Sequence, residues 1–322
     1  MNGSTMERVS STLSSFKPIV PVFRTISLIL CANLFIAGCS LQQKRFSTPE
    51  EAVDGLIGAS KSERPDEVRR ILGRGSDDVL SSGDDVADRR ARDKFLNAYE
   101  EKNALVTEPD GSVTLQVGKD DWPMPIPLVK GFGSWRFDTR RGKEEILNRR
   151  IGRNELSVRQ ICLAIIDAQR EYVVADRNSD GVLEYAQKLN SDFGEKNGLY
   201  WETSGDEPPS PLGPLVADAV EEGYGGGKKE SGQRRPYHGY YFKQLWSQGP
   251  NAPGGARDYM VNGRMIEGFA VVAWPAEYGN SGVMTFLVSH QGVVYERNLG
   301  KRTASIASSM TAFDPDSEWS VE

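Results

Sequence analysis

The chain has 322 residues, a formal charge of −6 and an apolar fraction of 38%, enough for packed cores in two ordinary domains. A net acidic chain lacks the general field that draws in nucleic acid, so no nucleic-acid partner is expected. Three cysteines are too few for a disulfide-built scaffold.

Lys17 and Arg24 precede the apolar run ISLILCANLFIAG, which ends at Cys39. Its 13 residues fall short of the ~20 that span a bilayer but suit the core of a signal peptide. Ile36-Ala37-Gly38-Cys39 matches a bacterial lipobox, in which the small residues admit the peptidase and the Cys39 thiol takes a diacylglyceryl group before cleavage. Residues 1–38 are therefore expected to be a lipoprotein-type signal peptide, with Met6 as an alternative start, and residues 39–45 an acylated tether. Ser40 stands where an aspartate would retain a lipoprotein in an inner membrane. The expected address is a membrane-anchored body facing the periplasm, on the outer membrane by preference, or the cell exterior. Cleavage removes a net +2 and takes the charge from −6 to −8. Cys31 leaves with the leader and Cys39 is acylated, so Cys162 is left without a disulfide partner.

Residues 46–142 then read as a first α+β domain. Thr48 is a suitable N-cap, Pro49 occupies the first helical position, and Glu51 completes a capping box before the stripe Ala52, Val53, Leu56, Ile57. A second helix is expected over Pro65–Leu72, stopped by Gly73, and a third over Asp85–Ala104 with Phe95, Leu96 and Tyr99 on one face. SVTLQVG and GSWRFDT alternate as strands. WPMPIPLV, with a proline at every second position, fits an edge strand or an extended connection.

Residues 143–322 form the second expected α+β domain, a long helix followed by an antiparallel sheet. The helix runs from Lys143 to about Ala175, with an interruption foreseen at Gly152 and a buried stripe of Leu156, Ile161, Cys162, Ile165, Ile166 and Val173. Cys162 is thus a core residue rather than a nucleophile. Arg149, Arg150 and Arg153 alternate with acids and suit a solvated face. EPPSPLGPL reads as a proline-set turn region. Strands are expected in HGYYFKQLW, RDYMVNGRM, GFAVVAWP and GVMTFLVSHQGVVYE, the last split by a turn at Gln291-Gly292. TASIASSM is expected to be a short helix.

Three groups of residues are candidate sites. The acidic loop 176–187 places Asp176, Asn178, Asp180, the Val182 carbonyl, Glu184 and Gln187 at the oxygen-donating positions of an EF-hand-type loop, with Gly181 at the turn. Gln187 cannot act as a bidentate carboxylate, so any Ca2+ would be weak and structural; the alternative is an Asp/Asn-Gly turn without metal. Tyr237, His238, Tyr240 and Tyr241 form an aromatic cluster that could line a binding groove or simply end a half-buried strand. Gly225-Gly226-Gly227-Lys228 lacks the flanking strand and the hydroxyl residue of a phosphate loop and reads as a flexible segment. His238 and His290 are the only histidines, and Glu144 and Glu145 diverge on a helix, so no catalytic set assembles.

FSTPEEAVDGLI, DDWPMPIPLVK, EEILNRRIGRNEL, PYHGYYF, VNGRMIEGFA and PAEYGNSGVMTFLVSHQGVVYE together resemble the bacterial secreted proteins of domain-of-unknown-function family 2950, over about Phe46 to Trp319. The resemblance implies an exported, envelope-associated protein and carries over no catalytic residue. The first region is also similar to NTF2-like domains, whose helices lie on a curved sheet. The later region resembles the head of type II secretion pseudopilins, although the apolar amino-terminal helix that builds their filament is missing. The expected function is that of a non-enzymatic envelope lipoprotein, held to the membrane by its acyl chains and binding or scaffolding a protein partner. The rival is a periplasmic hydrolase or isomerase with a carboxylate- and tyrosine-lined pocket in the first domain.

Overall fold

Thr48 opens the first helix as its sequence requires: its Oγ1 accepts from the Glu51 N–H at 3.2 Å. The Glu51 carboxylate reaches back to the Ser47 N–H at 3.0 Å, one residue earlier than a standard capping box. The computed structural model describes residues 42–205, 207–224 and 235–321. Cys39 and Gly225–Lys228 lie outside these described residues.

Four helices come first: α1 (Pro49–Lys61), α2 (Pro65–Leu72), α3 (Asp77–Leu80) and α4 (Asp85–Glu101). The strands β1 (Asn103–Thr107), β2 (Val113–Val117), β3 (Trp122–Pro123), β4 (Leu128–Gly131) and β5 (Ser134–Phe137) follow, in an antiparallel sheet ordered β1-β2-β4-β5 with β3 on the far end of β2. The inward positions Val113, Leu115, Val117, Leu128 and Phe137 meet Val53, Leu56, Ile57 and Ile71 in one apolar core. Helix α4 ends at Glu101, short of the expected Ala104, because residues 103–107 pair with β2 from Asn103↔Val117 to Thr107↔Val113. Tertiary pairing here overrides the helical propensity of Ala104 and Leu105.

Helix α5 (Thr139–Val173) is 35 residues long and passes through Gly152 without a break. It starts four residues before Lys143, and Ile146 still packs on the first core. Val158, Ile161, Cys162, Ile165, Ile166 and Tyr172 belong to a second core. Leu156 does not: it is 61% exposed, because two residues before Val158 places it on the opposite side of the helix.

Beyond it come α6 (Gly213–Glu221), which the proline-rich sequence did not announce, and β6 (Tyr240–Leu245), β7 (Ser247–Gln248), β8 (Arg257–Asp258), β9 (Met260–Val261), β10 (Arg264–Met265), β11 (Ala270–Pro275), β12 (Thr285–Ser289) and β13 (Val294–Arg297). The chain closes with α7 (Thr303–Ser309), β14 (Ala312–Phe313) and β15 (Ser320–Val321). The main sheet is antiparallel and ordered β15-β13-β12-β11-β6. Every residue of β11 and β12 is buried, and α5 and α7 both contact β11. Two-sided burial accounts for the continuous apolar run AVVAWP. A short sheet, β14-β7-β8, contains a parallel pair. The fold is mixed α+β, built of helices and several antiparallel sheets.

A polar seam joins the two cores. Arg150 donates to the Asp78 carbonyl at 2.7 Å, the Val79 carbonyl at 2.5 Å and the Asn280 side-chain oxygen. These carbonyls belong to α3, a helix of four residues that leaves them without intrahelical partners. Arg150 is therefore in the seam and not on a solvated face. Asn280 continues to the Ser81 carbonyl at 2.8 Å. One turn further along α5, Asn154 donates to the Ser281 carbonyl and Glu155 accepts from the Val283 and Met284 N–H groups at 2.8 and 2.9 Å.

Two glycines of α5 should respond oppositely to alanine. A Cβ at Gly142 would lie 2.2 Å from the Pro125 carbonyl oxygen, whereas nothing lies within 4 Å of one at Gly152. Gly142→Ala is expected to cost about 1–3 kcal/mol through overpacking. Gly152→Ala should gain up to about 1 kcal/mol of helix propensity. Urea unfolding followed by circular dichroism measures both, and shifts of the same sign would contradict this packing.

Candidate functional site

The acidic loop folds back on its own donors. Asp176 accepts from the Gly181 N–H at 2.8 Å, and Asp180 accepts from the Val182 N–H at 2.9 Å. The Asn178 amide donates to Asp180 at 3.0 Å and Glu184 at 3.1 Å. Gln187 donates to Glu184 at 3.3 Å and to the Gly263 carbonyl at 2.8 Å. The β9–β10 hairpin, turned at Asn262-Gly263, covers the loop: Arg264 donates to Asp180 at 2.9 Å and the Met265 N–H reaches Glu184 at 3.3 Å. The structure thus brings Asp176, Asn178, Asp180, Glu184 and Gln187 into one hydrogen-bonded loop, with the Arg264 guanidinium on Asp180 alone. Among the described residues no group of three or more His, Cys, Asp or Glu is arranged to hold a metal. Desolvation, the largest single influence, raises the Asp180 pKa, but the Val182 N–H and the Arg264 guanidinium outweigh it and hold the carboxyl below its ordinary value.

The aromatic quartet divides. Tyr240 is fully buried against Phe286 and donates to the Met284 carbonyl at 2.9 Å, while Tyr241 packs on Trp274 across the strand. Strand alternation separates these neighbours, so the four residues do not share a groove. Tyr237 and His238 instead join Tyr224, with ring centroids 4.4–5.8 Å apart. His238 Nε2 lies 3.1 Å from a Glu222 carboxylate oxygen that also faces Arg90 at 3.2 Å. Beside them the buried Asp84 accepts from the Tyr224 hydroxyl at 2.9 Å and the Gly239 N–H at 2.8 Å, and also caps α4. No spacing in the sequence links Asp84 to Gly239.

A cleft on the surface was not foreseen. A cleft of about 490 Å³ lies between the β2–β3 end of the first sheet and the early turns of α5. Pro123, Met124 and Pro125 line it, below Asp110 and Arg141 on one side and Glu145 and Arg149 on another. Gly142 lets α5 settle against Pro125. Arg141, Glu145 and Arg149 recur every four residues and so share a helix face, which is the signal that could have revealed the cleft. Four of its charges pair, Arg141 with Asp110 at 2.9 Å and Arg149 with Glu145 at 2.6 Å, and Glu108 lines it as well. The Arg149 guanidinium also lies 5.7 Å from the ring of Trp122, which is 41% exposed. The Ser112 hydroxyl and N–H, with Arg141, pull the Asp110 carboxyl down to about 2. Cys162 is sealed in the second core, where burial pushes its thiol up to about 12.

Residues 43–321 match the family model described as "Protein of unknown function (DUF2950)". No curated protein and no solved structure matches the chain.

Burial holds His238 below its ordinary value despite the opposing pull of the Glu222 and Asp84 carboxylates. Burial and the charge of Arg257 hold His290 down as well. Unfolded histidine takes its proton near pH ~6.5, the folded state only at lower pH, so in that window the unfolded chain binds more protons. Stability is therefore complete above pH ~6.5 and falls on acidification toward the folded pKa values. His238→Asn, chosen because asparagine tolerates the φ of +48° found there, should flatten that fall when urea midpoints are compared at pH ~7.5 and ~5.5. An unchanged pH dependence would remove His238 from this account.

Proposed function

The chain belongs to the DUF2950 family, and from that premise we propose that it is a non-enzymatic lipoprotein of the cell envelope that binds or scaffolds a protein partner. On this reading Cys39 carries the acyl anchor, the leader 1–38 is removed, and the body faces the periplasm from the outer membrane. Residues 46–142 serve as an NTF2-like unit and residues 143–322 as a pilin-head-like one. The acidic loop then works as a staple to the β9–β10 hairpin. A weak structural Ca2+ belongs to the proposal only in exchange for the Arg264–Asp180 pair, since both claim the same carboxylate.

The observation that carries this reading is the cleft beside Trp122. It combines a proline-lined floor short of N–H donors with arginines whose planar faces suit stacking and carboxylate recognition, and Arg149 joins it to the exposed ring of Trp122 at its side. An extended polypeptide offers N–H groups to the carbonyls of such a floor and side chains to the arginines. General acid–base work needs a carboxyl poised near the operating pH, and Asp110 is driven far from it. The rival, a hydrolase or isomerase, calls for close carboxyl groups with raised values in a pocket of the first domain. Asp88, whose carboxyl burial raises, is held by the Ser82 N–H and hydroxyl instead.

Trp122→Ala and Arg149→Glu test the reading. Full-length acylated protein recovered from detergent-solubilised envelopes should retain a protein partner. Each variant should weaken that capture by about 30-fold or more, the ~2 kcal/mol expected of a central interface residue, with circular dichroism unchanged. Equal capture by wild type and variants would sink the cleft as the binding surface, and turnover of a substrate that survives both substitutions would favour the enzyme.

A further inference from the structure

The β4–β5 hairpin carries an aromatic ring that its own fold does not use. Gly131 pairs with Ser134, so Phe132 and Gly133 form a two-residue turn, and both have positive φ, +51° and +76°. A turn of that kind favours Asn-Gly, and the β9–β10 hairpin of this chain has Asn262-Gly263 at +52° and +80° in the same role. Phenylalanine at the first position accepts left-handed backbone that a bulky residue avoids. It is also fully exposed, at 102%. A residue that is both strained and wholly in water contributes nothing to the core, which directs attention to a role at the surface.

One cation faces the ring and a second stands on the same hairpin. Arg45 lies 6.0 Å from its centroid and donates to the Gly131 carbonyl at 3.2 Å and the Ser134 hydroxyl at 3.3 Å. Lys130 lies over Trp135 on the same hairpin. Neither has a carboxylate partner among the described residues, whereas the neighbouring Lys44 is paired with Glu67. The segment that holds Arg45 leads straight to Cys39. Phe46 pairs antiparallel with Trp135, Gln43 donates to the Phe137 carbonyl at 2.7 Å, and only Ser40 and Leu41 separate Gln42 from Cys39.

We propose that Phe132, with Arg45 beside its ring and Lys130 on the same hairpin, inserts into the lipid bilayer as a second membrane contact that orients the body beside its acyl anchor. This rests on the lipoprotein reading of Cys39. At ~3.3 Å per residue, the tip lies roughly 20 Å along the sheet edge from Gln42, and the tether adds about 10 Å of reach. Both contacts are met when the edge formed by residues 42–46 lies along the membrane surface. The aromatic ring enters the interfacial zone and the two cations meet lipid phosphates, as amphipathic side chains do there. Glu50 and Glu51 open α1 nearby, so insertion of the ring, more than net charge, supplies the contact.

Phe193 provides an internal control. It is equally exposed, at 105%, but sits beside Asp192 and Glu195 with the lysines around it already paired. Full-length acylated Phe132→Cys and Phe193→Cys, labelled with an environment-sensitive dye and reconstituted into phosphatidylcholine–phosphatidylglycerol vesicles, make the comparison. Cys162 is buried and protonated and leaves the dye to the new cysteine. Spin-labelled lipids should quench the dye at position 132 several-fold more than the dye at 193, and Arg45→Ala with Lys130→Ala should reduce the difference. Equal quenching at both positions, in chains whose mass shows the acyl groups and which float with the vesicles, would overturn the membrane contact and leave the lipoprotein reading intact. A chain without acyl mass that fails to float would overturn that reading, and the contact with it. An unlabelled Phe132→Ser variant should keep its urea midpoint or gain stability; a clear loss would assign the ring a structural role and overturn the proposal.

Discussion

A single guanidinium, that of Arg150, decides how the two halves of this molecule meet. It projects from α5 into the space between α3 and the loop at Asn280, where it fills acceptors on both sides at once. A partly buried cation is costly to desolvate, and burial, aided by Arg153, does pull its pKa down against the opposing charges of Asp88, Glu277 and Asp78. Arginine suits the place because its planar donors engage several acceptors in fixed directions. Within the second half, Asn154 and Glu155 fasten the same helix to the backbone of residues 281–284, one donating and one accepting. The halves are thus joined by directional polar bonds and by the unbroken backbone of α5, while each keeps its own apolar core.

Much of this architecture is legible from local rules. The Thr48-Pro49 start, the Gly73 stop, the alternation of VTLQV and the apolar run of β11 each state their own structure. Misreadings occur where a distant partner decides. Asn103–Thr107 reads as the end of a helix until β2 claims it. Leu156 reads as core until the phase of the helix is fixed by Val158 and Ile161. Arg150 shares its charge and neighbourhood with Arg149 and Arg153, and only the position of α3 sets it apart.

The sites follow the same division. The acidic loop is visible as a motif because its residues are consecutive, but the hairpin that covers it lies some eighty positions away in Arg264 and Met265. The quartet around His238 is equally contiguous, yet strand geometry splits it and supplies Tyr224, Glu222 and Asp84 from elsewhere. The cleft beside Trp122 needs both a proline-rich strand and the face of a helix that begins after it. Contiguity in sequence finds loops, and surfaces assembled from several elements escape it.

Arg149 and Arg150 are consecutive, one facing the cleft and the other locked in the seam. A rigid helical turn therefore carries the outer wall of one and the fastening of the other. The helical register that seats Arg150 in the seam therefore also sets where Arg149 stands at the cleft. One turn of α5, not two separate devices, aligns the cleft wall with the fastening of the halves.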